Sequence, residues 1–155
     1  MHSSGGNAGL EGEATMARAE IDEVIAAIPI FSKCNKKELR AITRLLSSLR
    51  VSAGEVLTTQ GDSGREFMII ESGTAVVRRN DRKVGTLGPG DFFGELAMLA
   101  GVTRTATVVA ETDMVIDVLS AREFSSLLGD NPAIASKIYL TAIKRLYEDN
   151  QRGLQ

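Results

Sequence analysis

Nine glycines fall between Gly54 and Gly101 and cut that stretch into apolar pieces too short for helices, among them Val56-Leu57, Phe67-Met68-Ile69-Ile70 and Ala75-Val76-Val77. Glycine inside a helix costs about 1 kcal/mol relative to alanine, and short apolar runs bounded by turn residues read as strands. The segment therefore predicts an antiparallel β-barrel or jelly roll. Arg78-Arg79-Asn80-Asp81-Arg82-Lys83 predicts a polar hairpin tip joining two strands. A nucleic-acid patch is the sharper reading of that basic cluster, but Asp81 interrupts it and no aromatic residue accompanies it. Two more strands are predicted at residues 106–109 and 114–119, with Glu111-Thr112-Asp113 turning between them.

Helices flank the strands, giving an α+β, mainly β, class. Ile21, Val24, Ile25 and Ile28 recur at helical spacing before Pro29. Asn35 and Glu38 make a capping pair for a second helix that buries Leu39, Ile42, Leu45, Leu46 and Leu49 on one side. Ser120 and Glu123 cap a short helix carrying Phe124, Leu127 and Leu128, with Gly129 expected as its left-handed end. Asn131-Pro132 starts the last helix, which is expected to run to about Asp149. Its residues Ile134, Ile138, Ala142 and Arg145 form one stripe; Tyr139, Ile143 and Tyr147 form a second, about 100° around. Apolar on two faces, such a helix is expected to bury both.

Bulk properties narrow the function. The 155 residues carry 18 Lys+Arg against 20 Asp+Glu, a net charge of −2 that gives no electrostatic case for nucleic acid or an anionic membrane. The longest apolar run, Val24 to Phe31, contains a proline and is far too short to span a bilayer. Cys34 is the only cysteine, so no internal disulfide forms, which fits a reducing cytoplasm. His2 is the only histidine, and it lies in a Gly/Ser/Asn-rich tail, which argues against metal-dependent hydrolysis. Met1-His2-Ser3-Ser4-Gly5-Gly6 reads as an expression-vector leader. Residues 1–15 are expected to be a disordered tail, with Met16 a candidate native start and residues 16–155 one domain.

The densest chemistry lies from Phe93 to Ala110: Phe93-Gly94-Glu95-Leu96-Ala97-Met98, then five residues, then Arg104-Thr105-Ala106-Thr107-Val108. Gly94 lets a backbone approach a ligand closely, having no Cβ. Leu96 to Leu99 favour a single helical turn whose first N–H groups lack intrahelical partners and attract an anion. Arg104 supplies a planar, permanently charged fork for two phosphate oxygens. Glu95 can accept from a sugar hydroxyl. The plainer alternative is a surface ion pair between Glu95 and Arg104, worth little.

This stretch resembles the phosphate-binding cassette of the cyclic nucleotide-binding domain family, which includes kinase regulatory subunits, the bacterial catabolite activator and gated cation channels. Gly61-Asp62-Ser63-Gly64, Phe67 to Ile70 and Gly73 resemble the family's earlier signature, and the element order matches across about residues 20–150. The resemblance implies that Glu95 binds ribose and Arg104 the phosphate, with the backbone of Gly94, Leu96, Ala97 and Ala106 completing the phosphate contacts. It also implies that the last helix is a lid over the base, with Arg145 against the purine and Leu146 and Tyr147 as the alternatives. Thr105 could bond a guanine amino group, but in the family this threonine occurs with both nucleotides. Thr58 departs from the family's small apolar residue and is expected to touch packing rather than ligand.

The function expected is a ligand-sensing regulatory module for a cyclic nucleotide, cyclic AMP favoured over cyclic GMP, free-standing or excised from a larger channel, transporter or kinase. No cofactor, metal or catalysis is expected, because Glu95 is committed to the sugar and no histidine is available. No direct DNA binding by this chain is expected, since no room for a DNA-reading winged motif follows the last helix. The alternative is a degenerate scaffold that binds a protein partner and no nucleotide; the retention of both Glu95 and Arg104 argues against it.

Overall fold

The apolar run Phe67-Met68-Ile69-Ile70 is buried along its whole length within strand β3 (Glu66–Ser72). Successive side chains of a strand point to opposite faces, so four buried in a row require a core on each side. Phe67 and Ile69 enter one core, Met68 and Ile70 the other.

The computed structural model describes residue 23 and residues 25–153, with side chains as far as residue 148. The expected tail over residues 1–15, Met16, and Ile21 and Val24 of the first expected helix lie outside the described residues. A 3-10 turn at Pro29–Phe31 leads to α1 (Lys36–Leu45) and then to β1 (Ser47–Val51), β2 (Val56–Thr58) and β3. Next come β4 (Ala75–Arg79), β5 (Arg82–Leu87), β6 (Phe92–Phe93), the short α2 (Glu95–Leu99), β7 (Thr107–Ala110) and β8 (Met114–Ser120). Helices α3 (Ala121–Asp130) and α4 (Pro132–Gly153) complete the order.

The strands form two four-stranded antiparallel sheets, ordered β1-β8-β3-β6 and β2-β7-β4-β5. They make a jelly-roll-like sandwich and not a closed barrel. Val51, Met68, Ile70, Phe93 and Ile116 of the first sheet meet Ala75, Val108 and Ala110 of the second. The other face of the first sheet carries Phe67, Ile69, Phe92 and Leu119, which pack on Ile42 of α1, Phe124 and Leu127 of α3, and Ile134 and Ile138 of α4. Phe67 stacks at a tilt on both Phe92 and Phe124, with centroids 5.4 and 4.6 Å apart.

Both capping boxes form: Asn35 with Glu38 at 2.8 and 2.9 Å, and Ser120 with Glu123 at 2.8 and 3.2 Å. The polar hairpin tip is a two-residue turn with Asn80 at φ 53° and Asp81 at φ 64°, a conformation these short polar side chains tolerate.

Four expectations are corrected. Leu49 lies not on α1 but in β1, opposite Ile116, where it is 52% exposed. The chain turns extended at Leu46, and the two serines after it pair with β8. Gly129 stays within α3, and the helix closes on Asn131, whose Nδ2 donates to the Leu127 carbonyl at 3.0 Å. A side-chain amide satisfying that carbonyl makes a left-handed cap unnecessary. Helix α4 continues to Gly153, past Asp149. Its first stripe is buried at Ile134, Ile138 and Ala142, but Tyr139, Ile143 and Tyr147 of the second are 45%, 63% and 64% exposed, as are Leu140 and Leu146 at 67% and 42%.

On the helix-facing side of β8, Asp117 is 1% exposed and hydrogen-bonded to Glu71 of β3. Asp117 Oδ2 and Glu71 Oε2 are both buried with no hydrogen-bond partner. Burial, then the bond to Glu71 and its charge, push the Asp117 carboxyl up to about 9. The folded state therefore holds a proton here that the unfolded chain releases near pH 4. Stability falls as pH rises between those two values, by at most about 1.4 kcal/mol per pH unit. Asp117→Asn keeps a donor toward Glu71 and removes the titration. It is expected to raise the melting temperature more at pH 8 than at pH 5, measured by differential scanning calorimetry. An unchanged pH slope would show that the pair does not share a proton.

Candidate functional site

The β6–α2 junction sets the site. Gly94 has φ 97°, and a Cβ there would collide with the Glu66 carbonyl oxygen and lie 2.8 Å from Arg104 Nη1. Only glycine lets the chain pass this close to β3 and then start a helix. Helix α2 begins at Glu95 with no side-chain cap, so its first N–H groups are unspent.

Arg104 is placed by the loop before β3. Its N–H donates to the Asp62 carbonyl at 2.7 Å, and its own carbonyl accepts from Gly61 N–H at 2.8 Å. The guanidinium lies flat against Gly64, where a Cβ would sit 2.5 Å from Nη2. Arg104 is 6% exposed, and its Nη1 has no hydrogen-bond partner. Burial pushes its pKa down, while the nearby carboxylates of Glu66 and Glu95 push it up. A buried cation without hydrogen-bond acceptors is costly unless something supplies them.

Glu95, 1% exposed, is the matching anion. Its Oε1 accepts from Arg145 Nη1 at 2.5 Å, and its Oε2 is buried without a partner. Arg145 also donates from Nη2 to the Phe92 carbonyl at 2.8 Å and stands 5.2 Å over the Phe92 ring, a cation–π distance. Arg145 thus pins the C-terminal half of α4 to β6 and α2. Neighbouring apolar packing sets its position, because the buried stripe of α4 runs down to it.

All eight residues singled out in the sequence, Gly94, Glu95, Leu96, Ala97, Arg104, Thr105, Ala106 and Arg145, line one cavity of about 180 Å³. The β4–β5 hairpin closes the opposite side. The cyclic nucleotide-binding domain family matches residues 48–131. The chain belongs to that family.

The family is a regulatory ligand-binding domain rather than a catalytic one. The chain is 37% identical over 123 residues to a cyclic nucleotide-gated potassium channel of Rhizobium etli, covering 79% of this chain and 34% of the channel. It is 31% identical over 138 residues to a cAMP-dependent protein kinase regulatory subunit of Hypocrea atroviridis, covering 88% of this chain and 30% of that protein. The chain thus spans about a third of these relatives. Among solved structures it is similar to the regulatory subunit of a cAMP-independent protein kinase A from Trypanosoma brucei, solved as a triple variant with cAMP bound in its A site. The TM-score is 0.77 at 30% identity, over 93% of this chain and 54% of that one. The Thermus thermophilus catabolite activator protein gives a TM-score of 0.72 at 25% identity, over 80% of this chain and 61% of that one.

About half of the cavity wall carries no local sequence signal. Val77, Arg79, Val84, Thr86 and Leu87 line it from the hairpin, and Glu148 lines it from α4. Their alternation of apolar and polar residues is that of any half-buried strand, so nothing local marks them. Thr58, buried, lines the cavity as well, and its hydroxyl donates to the Ala106 carbonyl at 3.1 Å. Among the described residues, no helix is long and apolar enough to cross a membrane.

The two glycines against Arg104 are expected to fail differently. Gly94→Ala meets backbone and a left-handed φ, costing about 1–3 kcal/mol, so the melting temperature should fall by several degrees. Gly64→Ala meets only the end of a flexible side chain, so the fold should hold while Arg104 is displaced. Equal melting curves for both variants would show that the Gly94 backbone is not constrained.

Proposed function

We propose that this domain binds cyclic AMP in the cavity beside α2 and passes the event on through α4. The observation that carries the reading is Arg104: a permanently charged, buried guanidinium with an unsatisfied Nη1, beside the uncapped start of α2. The singly charged phosphodiester of a cyclic nucleotide supplies the missing acceptors. Glu95 Oε2, buried and unpartnered, accepts the ribose 2′-hydroxyl. Thr105, Ala106 and the β4–β5 hairpin face the remainder of the ligand.

The Trypanosoma brucei subunit supports cyclic AMP. The variant that holds cAMP carries introduced alanine, arginine and alanine, the second and third seven and eight positions after the first. Here Ala97 and Arg104 match the first two at that spacing, while Thr105 stands where the variant has its second alanine. A cAMP-dependent kinase regulatory subunit among the relatives points the same way. The charge balance fits too: Arg79, Arg104 and Arg145 against Glu95 and Glu148 leave one positive charge in excess around the cavity. A cyclic monoanion neutralises it; the dianion of linear 5′-AMP overshoots.

Signalling through α4 follows from Arg145. In the free protein its guanidinium occupies Glu95 Oε1. A ribose hydroxyl on Glu95 competes with that bond, and the last turns of α4 shift as the balance changes. Regulation of an attached or separate effector is the role this reading assigns.

Isothermal titration with cyclic AMP and cyclic GMP in parallel tests the reading. Cyclic AMP is expected at a dissociation constant on the order of micromolar, about −8 kcal/mol. Arg104→Ala is expected to weaken it by about 2–5 kcal/mol, without lowering the melting temperature of the unliganded protein. No heat with either nucleotide would sink the proposal in favour of the scaffold reading, for which the exposed Tyr139, Leu140, Ile143, Leu146 and Tyr147 of α4 would be the contact face.

The role of α4 has its own test. Arg145→Ala leaves Glu95 buried without a cationic partner, so the unliganded melting temperature should fall, unlike that of Arg104→Ala. Amide hydrogen exchange across residues 132–148 should change on adding cyclic AMP in the wild type. Exchange there that ignores the ligand would make α4 fixed structure.

A further inference from the structure

A second cavity of about 220 Å³ lies behind the cassette, between the loop before β3, residues 97–103 and α3. Its floor is apolar: Met98 and Leu99 from α2, Phe124 and Leu128 from α3. Ser63, Thr103 and Ser125 add hydroxyls, and Arg65 adds a guanidinium. All four of these polar residues are exposed, and among the described residues none of their side chains makes a hydrogen bond or ion pair; the N–H groups of residues 101–103, exposed as well, donate to no protein acceptor. No Asp or Glu lines the space; Asp62 and Glu66 flank the loop in sequence but are not part of the wall.

An apolar floor rimmed by exposed hydroxyls and one exposed cation, with no carboxylate in the wall, selects a particular chemistry. We propose that this cavity binds a small amphipathic anion, an aromatic or branched carboxylate whose body sits on Met98, Leu99, Phe124 and Leu128 and whose carboxylate meets Arg65. Size agrees: an apolar cavity of about 150 Å³ admits benzene, so a monocyclic aromatic acid fits here. The anion accepts from Arg65 and from the neighbouring hydroxyls, as charge-assisted bonds require.

The site is coupled to the nucleotide cavity by construction of the wall. Ala97 lines both spaces, and residues 97–103 run from one to the other. An occupant under Met98 and Leu99 fixes the segment that carries α2 and leads to Arg104, so each ligand tightens the other by the same factor. This coupling rests on the cyclic AMP reading; the site itself does not.

The probe is para-trifluoromethylbenzoate, with the neutral para-trifluoromethylbenzamide as charge control, followed by fluorine NMR and by amide shifts of the labelled full chain. Without nucleotide, saturable shifts are expected in residues 97–103 and 121–128. Arg65→Gln should weaken the benzoate by about fivefold and leave the benzamide unchanged. Ser125→Trp, which fills the cavity, should abolish both while cyclic AMP still binds. No saturable shift up to roughly 10 mM, shifts confined to the exposed face of α4, or equal benzoate affinity in Arg65→Gln would each overturn the proposal. With cyclic AMP present, the benzoate should bind about threefold or more tighter; equal affinity would overturn the coupling and leave the site standing. If cyclic AMP does not bind at all, the nucleotide reading fails while the benzoate result is unaffected.

Discussion

The structure is built around a charge that its own side chains do not hydrogen-bond fully. Arg104 is 6% exposed, held at its backbone by Gly61 and Asp62, and laid against Gly64, yet its Nη1 has no acceptor. Desolvation works against such a cation, and the fields of Glu66 and Glu95 only partly offset it. The two glycines exist to allow this placement. A side chain at Gly64 or Gly94 would push the guanidinium or the β3 backbone aside. A site kept incomplete in this way stores the affinity for whatever anion completes it.

Glu95 is the counterpart. Its two oxygens divide the work: one is held by Arg145, the other is buried and free. Cassette and last helix are therefore joined through a single carboxylate, the group best placed to sense a hydroxyl arriving in the cavity. An exposed ion pair could not transmit much, since solvent would take up the difference. Burial of Glu95 gives the exchange of partners its leverage.

Much of this was legible in the sequence, for physical reasons that differ by element. Glycine punctuation gave most of the strands, because glycine takes left-handed turns most readily and alone permits the closest backbone approaches between them. Both capping boxes were readable because their residues are local and three apart. The eight cassette and helix positions fall at one cavity because their spacing encodes a turn, a helix start and a returning strand. What was hidden depends on tertiary placement. Leu49 has a helical period with Leu45 and Leu46, but pairing with β8 takes it into a strand. Gly129 lost its expected role to the amide of Asn131. The hairpin wall of the cavity, from Val77 to Leu87, carries no signature because lining a pocket and lining a core use the same residues. Asp117 gave no warning, since an acid at that strand position is buried only by what packs over it.

Helix α4 shows how these pieces combine. Its first turns are fixed by Ile134, Ile138 and Ala142 in the core shared with α3 and the first sheet. Among the described residues beyond Ala142, Ile143, Leu146 and Tyr147 are exposed, while Arg145 reaches back to Glu95 and Phe92. A helix anchored at one end by apolar burial and at the other by one ion pair has very unequal local stability along its length. In the function proposed above, the anchored end sets direction and the far end moves when a ligand contests the ion pair. That far end also presents the exposed apolar residues. Any partner docked there would feel the state of Glu95 through two turns of helix, with no rearrangement of the sheets required.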